Sequence, residues 1–223
     1  MAITVSNLLT AGDTASTNPY TTGTVTPATN GDPVLLGAIS SAVGGRTISS
    51  VVGLGLTWSL VVAGADNGGV RQHIWQGIGT ASTGTVVVTW SGTVTGQAYS
   101  FLQFAGGHLT VPIVSGQFAS SIMSGGPVST STVDVTNTPA ATSCMVGFIG
   151  KDASGNVSNA LGFTVINTNY TTPTTTFAAL YNAAPTVKTV SGTHASAHAN
   201  ICSCEVAVAA STGDTQYAGM VPI

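Results

Sequence analysis

Apolar and polar residues alternate along most of this chain with a period of two. In GTVVVTWSG (84–92), Val86, Val88 and Trp90 fall on one side of an extended segment. In QAYSFLQFAG (97–106), Tyr99 and Phe101 share one face, and Leu102 and Phe104 the other. TTFAALYN (175–182) and NICSCEVAVA (200–209) alternate in the same way. No apolar stripe of period 3.6 persists over a helical length, so no amphipathic helix is expected. Turn-forming clusters punctuate these runs: ATNGDP (28–33), GADNGG (64–69), GTASTG (79–84) and DASGN (152–156). Short strands between such turns, at intervals of about ten residues, predict an all-β antiparallel sandwich or barrel.

The pattern also repeats. VLLGAI (34–39) resembles CMVGFI (144–149), with Gly37 above Gly147. GLTWSLV (55–61) resembles GFTVINT (162–168), and HIWQG (73–77) resembles AALYN (178–182). SFLQFAG (100–106) resembles CSCEVAV (202–208), with Gln103 above Glu205. Offsets of 110, 107, 105 and 102 fall steadily, as loops shortened in a second copy would make them. Two similar halves are predicted, at about 20–106 and 130–208, each giving about four core strands to a two-sheet, jelly-roll-like sandwich. Residues 107–129 are expected to bridge the halves across one end. Residues 1–20 are read as an N-terminal arm with a first strand, and 211–223 as a C-terminal arm, of the kind a neighbour orders.

Composition changes the picture of the surface. Only 5% of the 223 residues are charged, against roughly 25% in ordinary soluble domains. Four basic and seven acidic residues are scattered singly and sum to −3. No cluster is available to neutralise phosphates, so nucleic-acid binding is not expected. Interfaces between subunits are depleted of charge at their centres, so this surface predicts contact with identical subunits. The start, MAITVSNLLTAG, lacks the basic and long apolar regions of a secretory signal. Runs such as Val34-Leu35-Leu36 are too short to span a membrane as a helix.

Candidate chemistry concentrates in THASAHANICSCEV (193–206), which holds His194, His198, Cys202 and Cys204. On one continuous strand all four share a face, yet residues four apart are about 13 Å distant. Zinc draws its ligands within about 2.3 Å, so a straight strand does not gather them. The expectation is no metal and no cofactor, with Cys202 and Cys204 acting as small core residues beside Val206 and Val208. A bridge from Cys144 to Cys202 or Cys204 is the alternative for the sulfurs. Asp66-Asn67-Gly68-Gly69 offers a single carboxylate and reads as a turn rather than a calcium loop. Arg71, His73 and Trp75 alternate in VRQHIWQG and form the one candidate ligand-facing row, suited to a sugar, while Trp58, Trp75 and Trp90 fall within strong strand patterns where a core role is the default. No G-x-S-x-G occurs, and no two acids lie within three residues of one another, so no catalytic residue is assigned and no enzyme is expected.

ITVSNLLTAG, PVLLGAI, GLTWSLVVAGADNGG, VRQHIWQG, TGTVVVTWSG, AYSFLQFAG and ICSCEVAV follow one another across residues 3–208. In that order they resemble a family of Ser/Thr/Gly-rich β-sandwich structural proteins of tailed bacteriophages and prophages. Gln103 departs from the glutamate such strands often carry, and the tail after 210 has no counterpart. The resemblance implies a virion protein, first a head decoration protein that binds the capsid and neighbouring copies as a trimer. A tail or fibre component, with a tail protein as partner, is the alternative, and a carbohydrate-binding module contacting the host surface a further one.

Overall fold

β-Branched and aromatic residues at every second position leave the backbone no better option than paired extended strands. The computed structural model describes residues 3–14, 16–28, 31–41, 46–123, 127–159, 161–171 and 175–209, and it shows sixteen strands and no helix among them. The first eight are β1 (Thr4–Asp13), β2 (Tyr20–Thr21), β3 (Val34–Ser41), β4 (Ile48–Gly53), β5 (Thr57–Ala63), β6 (Val70–Ile78), β7 (Val86–Trp90) and β8 (Gly96–Ala105). The second eight are β9 (Ile113–Ile122), β10 (Val128–Asp134), β11 (Cys144–Lys151), β12 (Val157–Asn159), β13 (Thr164–Thr171), β14 (Thr175–Asn182), β15 (Thr189–Ala197) and β16 (Ala199–Val206).

Each set of eight makes the same two sheets. The first set forms a five-stranded sheet, β1-β8-β3-β6-β5, and a three-stranded sheet, β2-β7-β4. The second forms β9-β16-β11-β14-β13 and β10-β15-β12, so every strand has its counterpart eight places later. Within a half, first pairs with eighth, second with seventh and third with sixth, all antiparallel. Each half therefore pairs as a ribbon folded over on itself does. The antiparallel two-sheet sandwich and its two similar halves are thus observed. The difference from the sequence reading is one of count, because each half builds a complete sandwich by itself. The N-terminal segment is anchored, since β1 forms the edge of its own sheet beside β8. Residues 107–129 contain β9, the counterpart of β1, as well as a connection. The expected C-terminal arm, 211–223, lies outside the described residues.

Three cores hold the sheets together. One fills the first sandwich, with Leu36, Val86, Val88, Trp90, Tyr99 and Phe101. Another fills the second, with Met145, Ile149, Phe163, Leu180, Val190 and Ile201. The third joins the two five-stranded sheets face to face, through Leu35, Ile39, Ile74 and Leu102 against Val146, Phe148, Phe177 and Cys204. The layers therefore run three strands, five, five, three. Across the middle, β1 packs on β13 and β5 on β9, while β8 packs on β14 and β6 on β16. Exchanging the halves maps each contact onto its partner, so the chain is a dimer-like pair about a pseudo-twofold axis.

Register corrects one sequence match. Gln103 pairs with Val34, and Glu205 with Met145, which aligns Gly37 with Phe148 rather than with Gly147. A one-residue slip moves a side chain to the opposite face. Gly37 indeed faces the central core, where a Cβ would lie 2.3 Å from the Phe148 ring, whereas Gly147 faces Val190 inside the second sandwich. Ile39 and Gly150 are likewise counterparts that meet, with a Cβ on Gly150 falling 2.1 Å from Cδ1 of Ile39. At the axis each large side chain therefore faces a glycine. A true homodimer places like against like there, so only two diverged halves can pack in this way.

The long edge strands β1, β5, β9 and β13 carry one charged residue among them, Asp13. Charge is the usual guard against edge-to-edge pairing. Here irregularity takes its place. Register shifts fall between Asn7 and Leu9, Leu60 and Val62, Val165 and Asn167, and opposite β9 between Cys204 and Val206. The bulges at Val61 and Ile166 occupy equivalent positions in the two halves, as duplication implies.

Candidate binding groove and the polar core residues

The row of Arg71, His73 and Trp75 alternates as predicted, but its face turns inward. β2-β7-β4 covers that side of β6, leaving His73 1% exposed with its ring against Trp90, centroids 5.6 Å apart. Trp75 is half-buried against the same core, and Arg71 donates from Nε to the Gly64 carbonyl at 2.9 Å. The three are not an open ligand platform. The aromatic side chains of the first half need an apolar interior, and a strand pattern alone does not say which face supplies it. Both ring nitrogens of His73 are buried without a partner among the described residues. Burial, with Arg71 adding repulsion, lowers its pKa from 6.5 to about 3, so the ring is neutral.

The His/Cys stretch is divided between two sheets. β15 ends at Ala197 and β16 begins at Ala199, so the chain turns a corner at His198. His194 stays in the outer sheet, where Nδ1 donates to the Ala195 carbonyl and Nε2 meets Ser131 Oγ, both at 2.8 Å. Burial lowers its pKa, so Nε2 is the acceptor and Ser131 the donor. At the corner, His198 Nδ1 lies 2.9 Å from Asp152 Oδ2. Cys202 and Cys204 lie in the central core with Cys144, and all three are free thiols. Burial pushes Cys144 and Cys202 up to about 12, and Cys204 up as well, which leaves them unreactive. Neither alternative bridge forms. No group of three or more His, Cys, Asp or Glu that could hold a metal occurs among the described residues.

The buried polar groups that remain tie segments together. Glu205 accepts from Ala140 N at 2.9 Å and Gln117 Nε2 at 3.0 Å. Its counterpart Gln103 clamps both backbone groups of Ala28, at 2.9 and 3.0 Å. Each therefore secures the segment entering the third strand of its half. Across the halves, Asn200 donates to the carbonyls of Ala65 and Val70, and Asn67 to those of Met123 and Ala199. Asp66 accepts from Gly69 N at 3.1 Å, as an Asx-type turn does.

One opening among the described residues is lateral. β5 and β9, edge strands of the two inner sheets, diverge around a groove of about 270 Å³ lined by Leu60, Val61, Gln76, Ile113, Ser115 and Phe118. Leu60 and Phe118 are 48% and 42% exposed, which is unusual for side chains of this size. Gln76 donates to Ser59 Oγ at 3.1 Å, while its Oε1 is buried without a partner among the described residues. No sequence signal marked this groove, because it arises where two strands distant in the chain fail to close. Fold and groove together define a tandem antiparallel β-sandwich with a lateral cleft of mixed apolar and polar lining. Comparison with protein-family models, curated proteins and solved structures finds no match to this chain.

Proposed function

We propose that this chain is a structural, non-enzymatic protein of a tailed-phage virion, most simply a head decoration protein that binds the capsid and neighbouring copies of itself. The observation that carries the reading is the surface. Of eleven ionisable acids and bases, Asp32, Lys151 and Glu205 are buried, so fewer charges reach solvent than the composition suggests. The other cations are occupied: Arg46 donates to the Thr93 carbonyl, Arg71 to that of Gly64, and Lys188 lies 3.5 Å from Asp134. Val52, Leu109, Val111 and Leu161 meanwhile stand about half exposed. A surface of this kind supports burial against companions, at roughly 800 Å² per partner for a specific contact. A rigid four-layer body supports a geometric role, and the family resemblance supports the virion as its place. A trimer suits a shell with threefold positions, and repetition multiplies modest contacts through effective concentration.

The test is to size the purified chain by light scattering and to add it to particles that lack it. The reading expects an oligomer and retention at many copies per particle. A tail or fibre component would instead be retained at few copies, on tails. A stable monomer that binds neither heads nor tails would refute both.

A further inference from the structure

The two inner sheets meet over an apolar core, yet two amides are sealed inside it. Gln72 of β6 and Asn200 of β16 are both fully buried, and they belong to different halves. Val70 and Ile74 flank Gln72 on its face of β6, and Cys202 follows Asn200 on its face of β16, all within the central core. The two strands pack on each other across the seam. Asn200 Nδ2 donates to the Val70 carbonyl at 2.7 Å and to that of Ala65 at 3.1 Å. Two residues further along both strands, the Cys202 thiol lies 3.9 Å from the Gln72 carbonyl oxygen. Gln72 and Asn200 are therefore neighbours. Gln72 Nε2, Gln72 Oε1 and Asn200 Oδ1 are buried without a partner among the described residues. Amide atoms left in that state are costly, and native interiors rarely keep them so.

The pseudo-twofold axis supplies a comparison. Gln72 and Ala98 flank Ile39 in the first inner sheet, as Phe177 and Asn200 flank Gly150 in the second. Ile39 and Gly150 are counterparts, so Phe177 stands for Gln72, and Ala98 for Asn200. At the twin place a ring and a methyl group, both fully buried, close the seam without a polar side-chain atom. Gln72 ends in a flat amide where Phe177 has its ring, and Asn200 is drawn aside to the Ala65 and Val70 carbonyls. The difference between ring and amide is on the scale of one water, whose share of the liquid is about 30 Å³. The chemistry agrees. One donor atom and two acceptors, none of them charged, suit an ion of neither sign but match a water, which accepts and donates. We propose that one ordered water sits between the halves, accepting from Gln72 Nε2 and donating to Gln72 Oε1 and Asn200 Oδ1. Three hydrogen bonds are the usual number for a buried water. The water links β6 to β16 by a polar bridge where Phe177 and Ala98 do so by contact, and it does not depend on a virion role.

Water-selective ROESY spectra of the isotope-labelled full chain test it. The side-chain amide protons of Gln72 should show a cross-peak to water with the sign that marks proximity rather than exchange. The backbone amide of Phe177, at the twin place, should show none. Cys202 carries an exchangeable proton beside Gln72 that also relays magnetisation, so the peak should persist in Cys202→Ala. No peak in the parent, an equal peak at Phe177, or loss of the peak in Cys202→Ala overturns the proposal. Gln72→Met gives a second reading by thermal unfolding. If the amide is bridged, its removal should lower Tm by about 2–4 °C, the shift of one net hydrogen bond in a chain of this length. If the amide is dry, methionine relieves an unpaired buried group, so an unchanged or raised Tm overturns the proposal as well.

Discussion

If Gly37 and Phe148 form a matched pair at the pseudo-axis, then a single methyl group at Gly37 should loosen the whole molecule. A Cβ there lies 2.3, 2.4 and 2.7 Å from Cδ1, Cε1 and Cγ of Phe148. Carbon atoms prefer about 3.5–4.0 Å, so the ring has to retreat by more than an ångström. It has little room, because it stacks on Phe177 with centroids 5.6 Å apart and planes 4° from parallel. Overpacking of this kind costs about 1–3 kcal/mol. Replacing a strand glycine by alanine returns roughly 0.5–1 kcal/mol through lost unfolded-state entropy, so Gly37→Ala should destabilise by about 1–2 kcal/mol. In a chain of this length that lowers Tm by roughly 2–8 °C. Phe148→Leu alone also destabilises, by opening space over Gly37. The double variant should regain at least about 1 kcal/mol of the summed losses, since each change relieves the other. Thermal and urea unfolding of the four proteins gives the cycle. A Gly37→Ala protein as stable as the parent, or losses that add, would falsify the close approach of the halves at this point.

Acid should weaken the fold through His73. Its pKa is near 3 folded and about 6.5 unfolded, so below pH 6.5 the unfolded chain binds the extra proton. Stability is then level above pH 6.5 and falls as pH drops toward 3, by up to about 1.4 kcal/mol per pH unit and at most roughly 4–5 kcal/mol in all. His194, also lowered by burial, adds to the same trend. Urea midpoints between pH 7 and 4 should fall less steeply for His73→Leu than for the parent, and parallel curves would remove His73 as the cause. Glu205→Ala should cost about 1–3 kcal/mol by stranding Ala140 N–H and Gln117 Nε2 in the interior, and Glu205→Gln should not avoid the loss, because both partners donate and the new amide nitrogen must face one of them; chemical denaturation of the two variants checks both.

Alternation marked the strands well, because the period of two is a local property that each segment carries. Val86, Val88 and Trp90 share a buried face as read, and Leu102 and Phe104 lie opposite Tyr99 and Phe101. The match of Gln103 to Glu205 also survives, since both residues secure the entry to a third strand. The sequence alone sets Gly37 one residue away from its true counterpart, because small apolar strands align equally well in neighbouring registers. For the row of Arg71, His73 and Trp75 the sequence leaves a ligand-facing and a core role both open, because nothing local distinguishes the face toward solvent from the face toward another sheet. β9 went unseen inside 107–129: its pairing shifts between Cys204 and Val206, and its alternation breaks around Gly116, which has φ +72°.

What the sequence determined by itself is the strand-forming habit, the tandem halves and the sparse charge, all of which reside in residue type and spacing. Which face of each sheet is buried, the meeting of the two inner sheets, the division of the His/Cys stretch at His198 and the open groove were decided only in three dimensions. The reason is that a β-strand is symmetric in its local rules. Both faces obey the same period, and both edges offer the same hydrogen bonds. Only the partner that arrives from elsewhere in the chain makes one side a core and the other a surface.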